Sequence, residues 1–148
     1  MTTEYRKSSH SVFSIQLHIA WITKYRYKVL KGEIGQRARD LIRRICIEEN
    51  VEIISGAVAP DHVHILVSVD PSTAPSTLVK YLKGKTSRQL QMEYPSLKKQ
   101  YWGQHLWARG YFVVSAGNVT KDMIKEYIEH HFESKETEDS FRVEETSS

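Results

Sequence analysis

One cysteine in 148 residues excludes an internal disulfide, and a chain of this length buries enough surface as one domain to fold without one. That cysteine, Cys46, falls on the apolar stripe of a predicted helix, which indicates a small buried hydrophobe in a reducing compartment. There is no run of about 18 apolar residues and no signal-peptide pattern at the N-terminus. Membrane and secreted proteins are therefore not expected, and we predict a cytoplasmic protein.

The formal net charge of +3 conceals an uneven distribution along the chain. Residues 133–148 carry six acidic and two basic side chains, a net charge of −4, which leaves +7 on residues 1–132. A basic folded part favours a polyanionic partner, and an acidic C-terminal segment is expected to be solvated or disordered. We therefore divide the chain into a polar leader at 1–11, one domain at 12–133 and an acidic, disordered tail at 134–148.

Hydrophobic periodicity predicts four strands and two helices in the order β-α-β-β-α-β. The predicted strands are 12–23, 51–59, 62–69 and 107–115, and the predicted helices are 33–49 and a second that begins near Pro75. This order is typical of α+β proteins with a ferredoxin-like split β-α-β arrangement, in which two helices cover one face of an antiparallel sheet. The other face is left open for a ligand. The segment 94–106 is predicted to be a loop, and residues 119–133 an extra C-terminal helix.

Two histidines lie two residues apart in a segment that otherwise reads as a buried strand. Because strand side chains alternate between faces, His62 and His64 share one face, with Cβ atoms roughly 6 to 7 Å apart. One metal ion can bridge two imidazoles over that span. The alternative is a pair of ordinary strand histidines, each satisfied by a hydrogen bond. The strand alone leaves both interpretations open.

Positive charge is concentrated in two further segments. In Lys24-Tyr25-Arg26-Tyr27-Lys28, cations alternate with aromatic rings, an interleaving that suits phosphates and stacked bases; a solvated strand end is the alternative. The second predicted helix carries a basic face, which we direct at phosphates, made of Lys80, Lys83, Lys85 and Arg88. Gly84, in the middle of that helix, indicates a bend or a close approach of another backbone.

The predicted C-terminal helix carries Tyr127 and His131, one turn apart on the face that also holds Ile124 and Ile128. A routine packing stripe with a tyrosine and a histidine at its edge is one interpretation, and a functional pair is the other. His130, three residues after Tyr127, is a competing candidate on an adjacent line of the helix.

Taken in order, these motifs resemble a known family, the single-tyrosine HUH transposases of the insertion-sequence-200/605 type and their relatives associated with repetitive extragenic palindromes. The resemblance spans residues 12–133. It rests on the segments Lys24-Tyr25-Arg26, Pro60-Asp61-His62-Val63-His64-Ile65-Leu66, Leu82-Lys83-Gly84-Lys85, Leu106-Trp107-Ala108-Arg109-Gly110-Tyr111 and Tyr127-Ile128-Glu129 through His131. The two histidines alone are moderately specific, whereas the ordered set is highly specific.

The resemblance implies a metal-dependent homodimer that cuts and rejoins single-stranded DNA at the ends of a mobile element and recognises hairpins near those ends. In such an enzyme Tyr127 is the nucleophile that forms a 5′-phosphotyrosine, and His62 and His64 bind Mg²⁺ or Mn²⁺. His131 is the third ligand, where many members have glutamine, and this nitrogen ligand shifts preference toward softer ions. Active sites in the family are commonly shared between subunits. The candidate DNA contacts are Lys24, Arg26, Lys83, Lys85, Arg88 and Arg109.

Two other functional classes compete with this interpretation. A histidine-triad nucleotide hydrolase also places alternating histidines on a strand, but it would require a third histidine where this chain has Leu66. A ferredoxin-like RNA-binding module without catalysis would use exposed aromatic side chains and keep the histidines as structural residues.

Overall fold

The computed structural model describes residues 5–7, 12–118 and 121–130. Its strands are β1 (Arg6–Lys7), β2 (Val12–Phe13), β3 (Ile15–Ile22), β4 (Glu52–Ala59), β5 (His62–Val69) and β6 (Phe112–Ser115). Its α-helices are α1 (Gly32–Glu48), α2 (Pro75–Glu93), α3 (Pro95–Gln100) and α4 (Lys121–His130). His131 and the predicted acidic tail lie outside the described residues. None of the helices in the described part is long and apolar enough to cross a membrane.

Four of the strands form one antiparallel sheet in the order β4-β5-β3-β6. A hairpin joins β4 to β5, whereas α1 connects β3 to β4 and α2 lies on the connection from β5 to β6. Strand β5 is thereby inserted between β3 and β4, which is the split β-α-β arrangement. The predicted α+β fold with a ferredoxin-like strand order is confirmed. Strands β1 and β2 pair separately, so residues 6–7 of the predicted leader are extended strand.

The central strands β3 and β5 bury one face under the two long helices. Trp21 and Val63 are completely buried on that face, against the apolar stripes of α1 and α2 that include Ile45 and Leu82. Burial of each such side chain contributes about 1.5 to 3 kcal/mol of hydrophobic stabilisation. This layer fixes β5, the strand that carries the histidine pair, in the interior of the sheet.

Helix α1 also buries the one cysteine of the chain. The side chain of Cys46 is 1% exposed, and burial raises the pKa of its thiol to about 11. The thiol is therefore protonated at neutral pH and unreactive. Its predicted role as a small buried hydrophobe is confirmed.

The predicted fourth strand, 107–115, is wrong in its first half, because β6 begins at Phe112. Trp107 meets Thr23 in an isolated bridge, and its indole packs edge-on against Trp21, with ring centroids 5.8 Å apart. Its Nε1 donates a hydrogen bond of 2.9 Å to the buried hydroxyl of Thr86. Trp107 is thus a core anchor, and the chain turns at Gly110 before the strand starts.

The predicted loop 94–106 is also wrong in part, because it contains helix α3. Leu97 and Tyr101, four residues apart, are 2% and 3% exposed and join the core beneath this short helix. Their spacing is helical, but the polar residues around them concealed it. Helix α3 is consequently a fixed part of the fold.

Candidate active site

The two histidines of β5 lie side by side on the open face of the sheet, as predicted. Their rings are almost parallel, with centroids 6.1 Å apart and planes at 15°. His64 pairs with Ala20 on one side and Ala57 on the other. Small neighbours leave space above the rings for a ligand.

Asp61 links the histidine pair to Arg26. Its Oδ1 accepts a hydrogen bond of 2.8 Å from Nδ1 of His62, and its Oδ2 accepts bonds of 3.1 and 2.9 Å from the Arg26 guanidinium. Burial raises the pKa of Asp61, but the His62 hydrogen bond and the Arg26 charge outweigh burial and lower that pKa to about 2. Because an ionised carboxylate can only accept, Nδ1 of His62 is the donor, and Nε2 is the ring nitrogen that is left to face a ligand.

The turn at Lys24–Arg26 aims the guanidinium at this carboxylate. Tyr25 and Arg26 have φ angles of 61° and 54°, a left-handed conformation that is unfavourable for residues with a Cβ atom. The backbone N–H of Thr23 donates to the carbonyl oxygen of Asp61 at 3.0 Å, and its hydroxyl donates to the carbonyl oxygen of Tyr27 at 2.7 Å, which fixes both ends of the turn. Arg26 is therefore a positioning residue for Asp61, and its predicted contact with DNA stays a prediction.

His64 offers a second neutral imidazole. Its Nδ1 is buried and has no hydrogen-bond partner among the described residues. Burial lowers the pKa of His64 below its usual value, and the neighbouring His62 and His18 lower it further. Neutral imidazoles with an available ring nitrogen fit a divalent ion. The third predicted ligand, His131, lies outside the described residues, and within them no group of three or more candidate ligands occurs.

Helix α4 stands over the open face and closes a cleft beside the histidines. The cleft has a volume of about 670 Å³. Its apolar wall comes from Ile124 and Ile128 of α4, of which Ile128 is 8% exposed. Its other lining residues include the cations Arg26, Lys28 and Lys125. Positive charge beside an apolar wall suits a nucleotide, which carries a phosphate and a base.

Tyr127 lies beside this cleft and does not line it. Its ring packs on Phe112 of β6, with centroids 5.3 Å apart. Ala20 of β3 pairs with His64 on one side and with Phe112 on the other, so these side chains form one row across the sheet. Because paired residues in antiparallel strands are about 5 Å apart, Phe112 lies roughly 10 Å from His64. Tyr127 therefore packs on β6, two strands away in the sheet from the histidines of β5.

A groove between α2 and residues 103–109 gathers most of the predicted DNA contacts. It has a volume of about 820 Å³ and is lined by residues that include Lys24, Arg88 and Arg109. Gly84 lies in its wall, and a Cβ atom added there would meet nothing within 4 Å. No backbone of the described residues crosses this glycine, which instead leaves the groove open.

Lys83 and Lys85, two other predicted DNA contacts, have partners within the protein. The Nζ of Lys83 donates hydrogen bonds of 2.8 Å to the backbone carbonyls of residues 108 and 110, which ties α2 to the turn that carries Arg109. Lys85 lies 3.8 Å from Glu48 of α1 and outside the groove. Their contacts with DNA stay predictions.

Neither Asp61 nor Phe112 was predicted as a site residue. Asp61 entered the prediction only as part of the segment from Pro60 to Leu66. The available signal was its position directly before His62, since metal-binding histidines commonly donate their second N–H to a carboxylate. Phe112 gave no signal, because its position depends on the pairing of β3 with β6.

Known proteins match this chain over most of its length. Residues 11–131 match the family described as IS200-like transposases. The chain is 37% identical over 126 residues to the ISDra2 transposase TnpA of Deinococcus radiodurans, which covers 85% of this chain and 90% of that protein. It is 33% identical over 125 residues to the transposase for insertion sequence element IS200 of Salmonella typhimurium, which covers 84% and 82%.

Two solved structures share the fold. A crystal structure of a protein from Deinococcus radiodurans, described as a transposase, aligns with a TM-score of 0.78 at 34% identity, over 84% of this chain and 95% of that one. A REP-associated tyrosine transposase bound to a REP hairpin aligns with a TM-score of 0.53 at 16% identity, over 84% and 67%, and supports the fold alone. From the family match and the identity to known transposases, this chain belongs to the IS200-like transposases, which are DNA-cleaving and strand-transferring enzymes.

Proposed function

We propose that this transposase cleaves and rejoins single-stranded DNA at the ends of a mobile element through a 5′-phosphotyrosine on Tyr127, in the cytoplasm, with a divalent ion held by His62, His64 and His131. The histidine pair on the open face carries the proposal. A structural histidine normally has its ring nitrogens satisfied, whereas Nδ1 of His64 is buried without a partner among the described residues. The ionised Asp61 holds His62 in the tautomer that a metal requires.

The described residues offer two imidazole nitrogens to a divalent ion, for which we propose Mg²⁺ or Mn²⁺. When bound, the ion would offset charge that develops on the scissile phosphate and would orient that group for in-line attack. His131 would provide a third nitrogen ligand, where many relatives of this type have glutamine. A site with three imidazoles favours Mn²⁺ over the harder Mg²⁺.

Tyr127 transfers the strand without hydrolysis. Its phenolic oxygen forms a bond to phosphorus as the bond from phosphorus to the 3′ oxygen breaks, and the phenolic proton is balanced by protonation of the released 3′-hydroxyl. The 3′-hydroxyl of another strand then attacks the same phosphorus and releases Tyr127. The covalent link conserves the phosphodiester bond, so no water-activating base is required.

We further propose that two copies form a homodimer and share their sites. Phe112 holds Tyr127 on the far side of Ala20 from His64. The roughly 10 Å between Phe112 and His64 supports delivery of the tyrosine by helix α4 of the second copy.

The groove beside α2 is the proposed track for the DNA backbone. Lys24, Arg88 and Arg109 converge there, on a part of the chain with a net charge of +7. We expect a hairpin near the element end as the ligand, and the REP-associated relative is itself bound to a REP hairpin. Phosphate contacts of this kind fix orientation and carry little sequence information.

A covalent adduct assay tests the proposed nucleophile. The chain is incubated with single-stranded DNA from the flank of its own gene and with Mn²⁺ or Mg²⁺, and the products are separated on a denaturing gel. We expect an adduct with the parent and with the control Tyr111→Phe, whose tyrosine is 41% exposed. Tyr127→Phe and a chelator should each abolish it. Parental adduct formation by Tyr127→Phe would overturn the assignment, and RNA binding that survives a chelator without any adduct would favour the non-catalytic alternative.

Mixing two inactive variants tests the shared site separately. In a heterodimer of His64→Ala with Tyr127→Phe, a shared arrangement leaves one intact site, so an equal mixture should recover about a quarter of parental activity. Sites built within one chain would recover none. That result would refute the shared site and leave the chemistry in place.

A further inference from the structure

We propose that Trp102 is a stacking platform for an unpaired base of the bound DNA strand. The inference rests on the proposed DNA function and names where a base is held. Trp102 is 87% exposed, whereas Trp21 and Trp107, the other tryptophans of the chain, are 0% and 5% exposed. An indole left almost wholly in water contributes little to the core, so packing does not explain why tryptophan stands at this position.

The backbone at Trp102 has the conformation of a helix end that normally uses glycine. Its φ is 56°, its N–H donates to the carbonyl of Lys99 at 3.3 Å, and the N–H of Gly103 donates to the carbonyl of Lys98 at 2.6 Å. These two bonds form a Schellman motif, with Trp102 at the left-handed position. A bulky residue is unfavourable there, and such local conflicts concentrate at functional positions.

The backbone at Trp102 is held in a fixed place relative to the basic groove. Leu97 and Tyr101 bury the inner side of α3. After Trp102, the carbonyl of Gln104 accepts a hydrogen bond of 2.6 Å from Nε2 of Gln91 on α2. Gly103 and Gln104 line the groove itself, so Trp102 lies next to its rim. Because this backbone is already ordered, the protein loses little further conformational entropy when a base stacks there.

The surroundings of Trp102 favour a nucleobase over a protein partner. The residues Lys98, Lys99 and Gln100, which shortly precede it in α3, are all polar and exposed. A protein-docking aromatic normally lies within a larger apolar patch. An aromatic ring flanked by cations along a basic groove is typical of proteins that bind single strands, where bases stack and phosphates meet the charges.

Tryptophan fluorescence tests the contact directly, because only Trp102 is open to a soluble quencher. The full chain is titrated with an oligothymidine strand and with a DNA hairpin that has unpaired loop thymines, and acrylamide quenching is measured. We expect each DNA to shield Trp102, and versions with abasic sites in place of the unpaired bases to shield it much less. Equal shielding by the abasic strands would overturn the proposal.

The variant Trp102→Gly separates a binding role from a structural one. Glycine suits the left-handed position, so the melting temperature should stay the same or rise, while affinity for the hairpin falls about 5- to 100-fold. Trp102→Tyr should retain most of the affinity, and the control Ile47→Ala, which alters a 72% exposed side chain on α1, should change nothing.

Three outcomes would overturn the inference. If the parent binds the hairpin and Trp102→Gly binds it equally well, stacking on Trp102 is refuted and the proposed DNA function is not. A change of oligomeric state in the same variant, seen by sedimentation, assigns Trp102 to a protein interface instead. A parent that binds no DNA refutes the proposed function together with this inference.

Discussion

Replacing Asp61 with asparagine removes the charge that joins Arg26 to His62. The pKa of this carboxyl is about 2, against an ordinary value of 3.8, and its side chain is 11% exposed. The difference between the two pKa values corresponds to about 2 kcal/mol of folding free energy. Because the folded-state pKa is depressed, this stability is fully present above the unfolded pKa and is lost as pH falls through about 2.

Asp61→Asn keeps the shape of the side chain and abolishes its titration. Near pH 7 we expect the free energy of unfolding of the variant to be lower by about 2 kcal/mol. About half of that gap should disappear by pH 3, since the parent loses the contribution and the variant has none to lose. The asparagine amide can also donate to Nδ1 of His62 and move its proton to Nε2, so affinity for Mn²⁺ should fall about 10- to 100-fold.

Urea titrations between pH 7 and pH 3 measure the first effect, and calorimetric titration with Mn²⁺ measures the second. Asp40→Asn is the matched control, because this carboxylate forms an exposed pair with Arg43 at 3.6 Å and lies on α1. Such pairs contribute about 0 to 1 kcal/mol. A stability gap that is the same at pH 7 and pH 3, or unchanged Mn²⁺ affinity, would refute the linkage between Asp61 and the histidines.

Three further predictions concern the groove, its support and the metal site. Gly84→Ala should stabilise α2 by about 1 kcal/mol and leave DNA affinity unchanged, because a Cβ atom at this position meets nothing. Gly84→Glu should weaken DNA binding, measured by fluorescence anisotropy. Equal DNA affinities of the two variants would contradict the groove as the DNA-binding surface. Lys83→Met removes the donor to two backbone carbonyls and should lower the free energy of unfolding in urea by about 1 to 2 kcal/mol. An equal loss in the control Lys85→Met would contradict a stabilising role for these two hydrogen bonds. Mn²⁺ at about 100 times its Kd should stabilise the parent by about 2.7 kcal/mol in thermal melts, and an equal gain in His64→Ala would exclude that histidine as a ligand.

The sheet and its two long helices were predictable because their signals are local. Alternating residues in β3 and β5 and the helical stripe around Leu41 and Ile45 each follow one period over several turns or pleats. The strand β5 was predicted at residues 62–69, and the structure gives His62–Val69. The shared face of His62 and His64 follows from the same alternation.

The features that were missed depend on contacts between distant segments. Trp107 fits the alternating pattern of a strand in the sequence, but its indole is fixed by Trp21 and Thr86, which are distant in the sequence. The pairing of Asp61 with Arg26 requires a left-handed turn that no periodicity predicts. The packing of Tyr127 on Phe112 likewise depends on which strand lies next to β3.

Peptide mapping of the covalent adduct tests the central claim most directly. After the reaction and nuclease trimming, trypsin should release residues 126–135 as one peptide, between cleavage after Lys125 and cleavage after Lys135. We predict that this peptide gains the mass of the attached nucleotide and that fragmentation places it on Tyr127. A nucleotide attached to any other peptide, or complete DNA cleavage without any modified peptide, would contradict a tyrosine-linked mechanism.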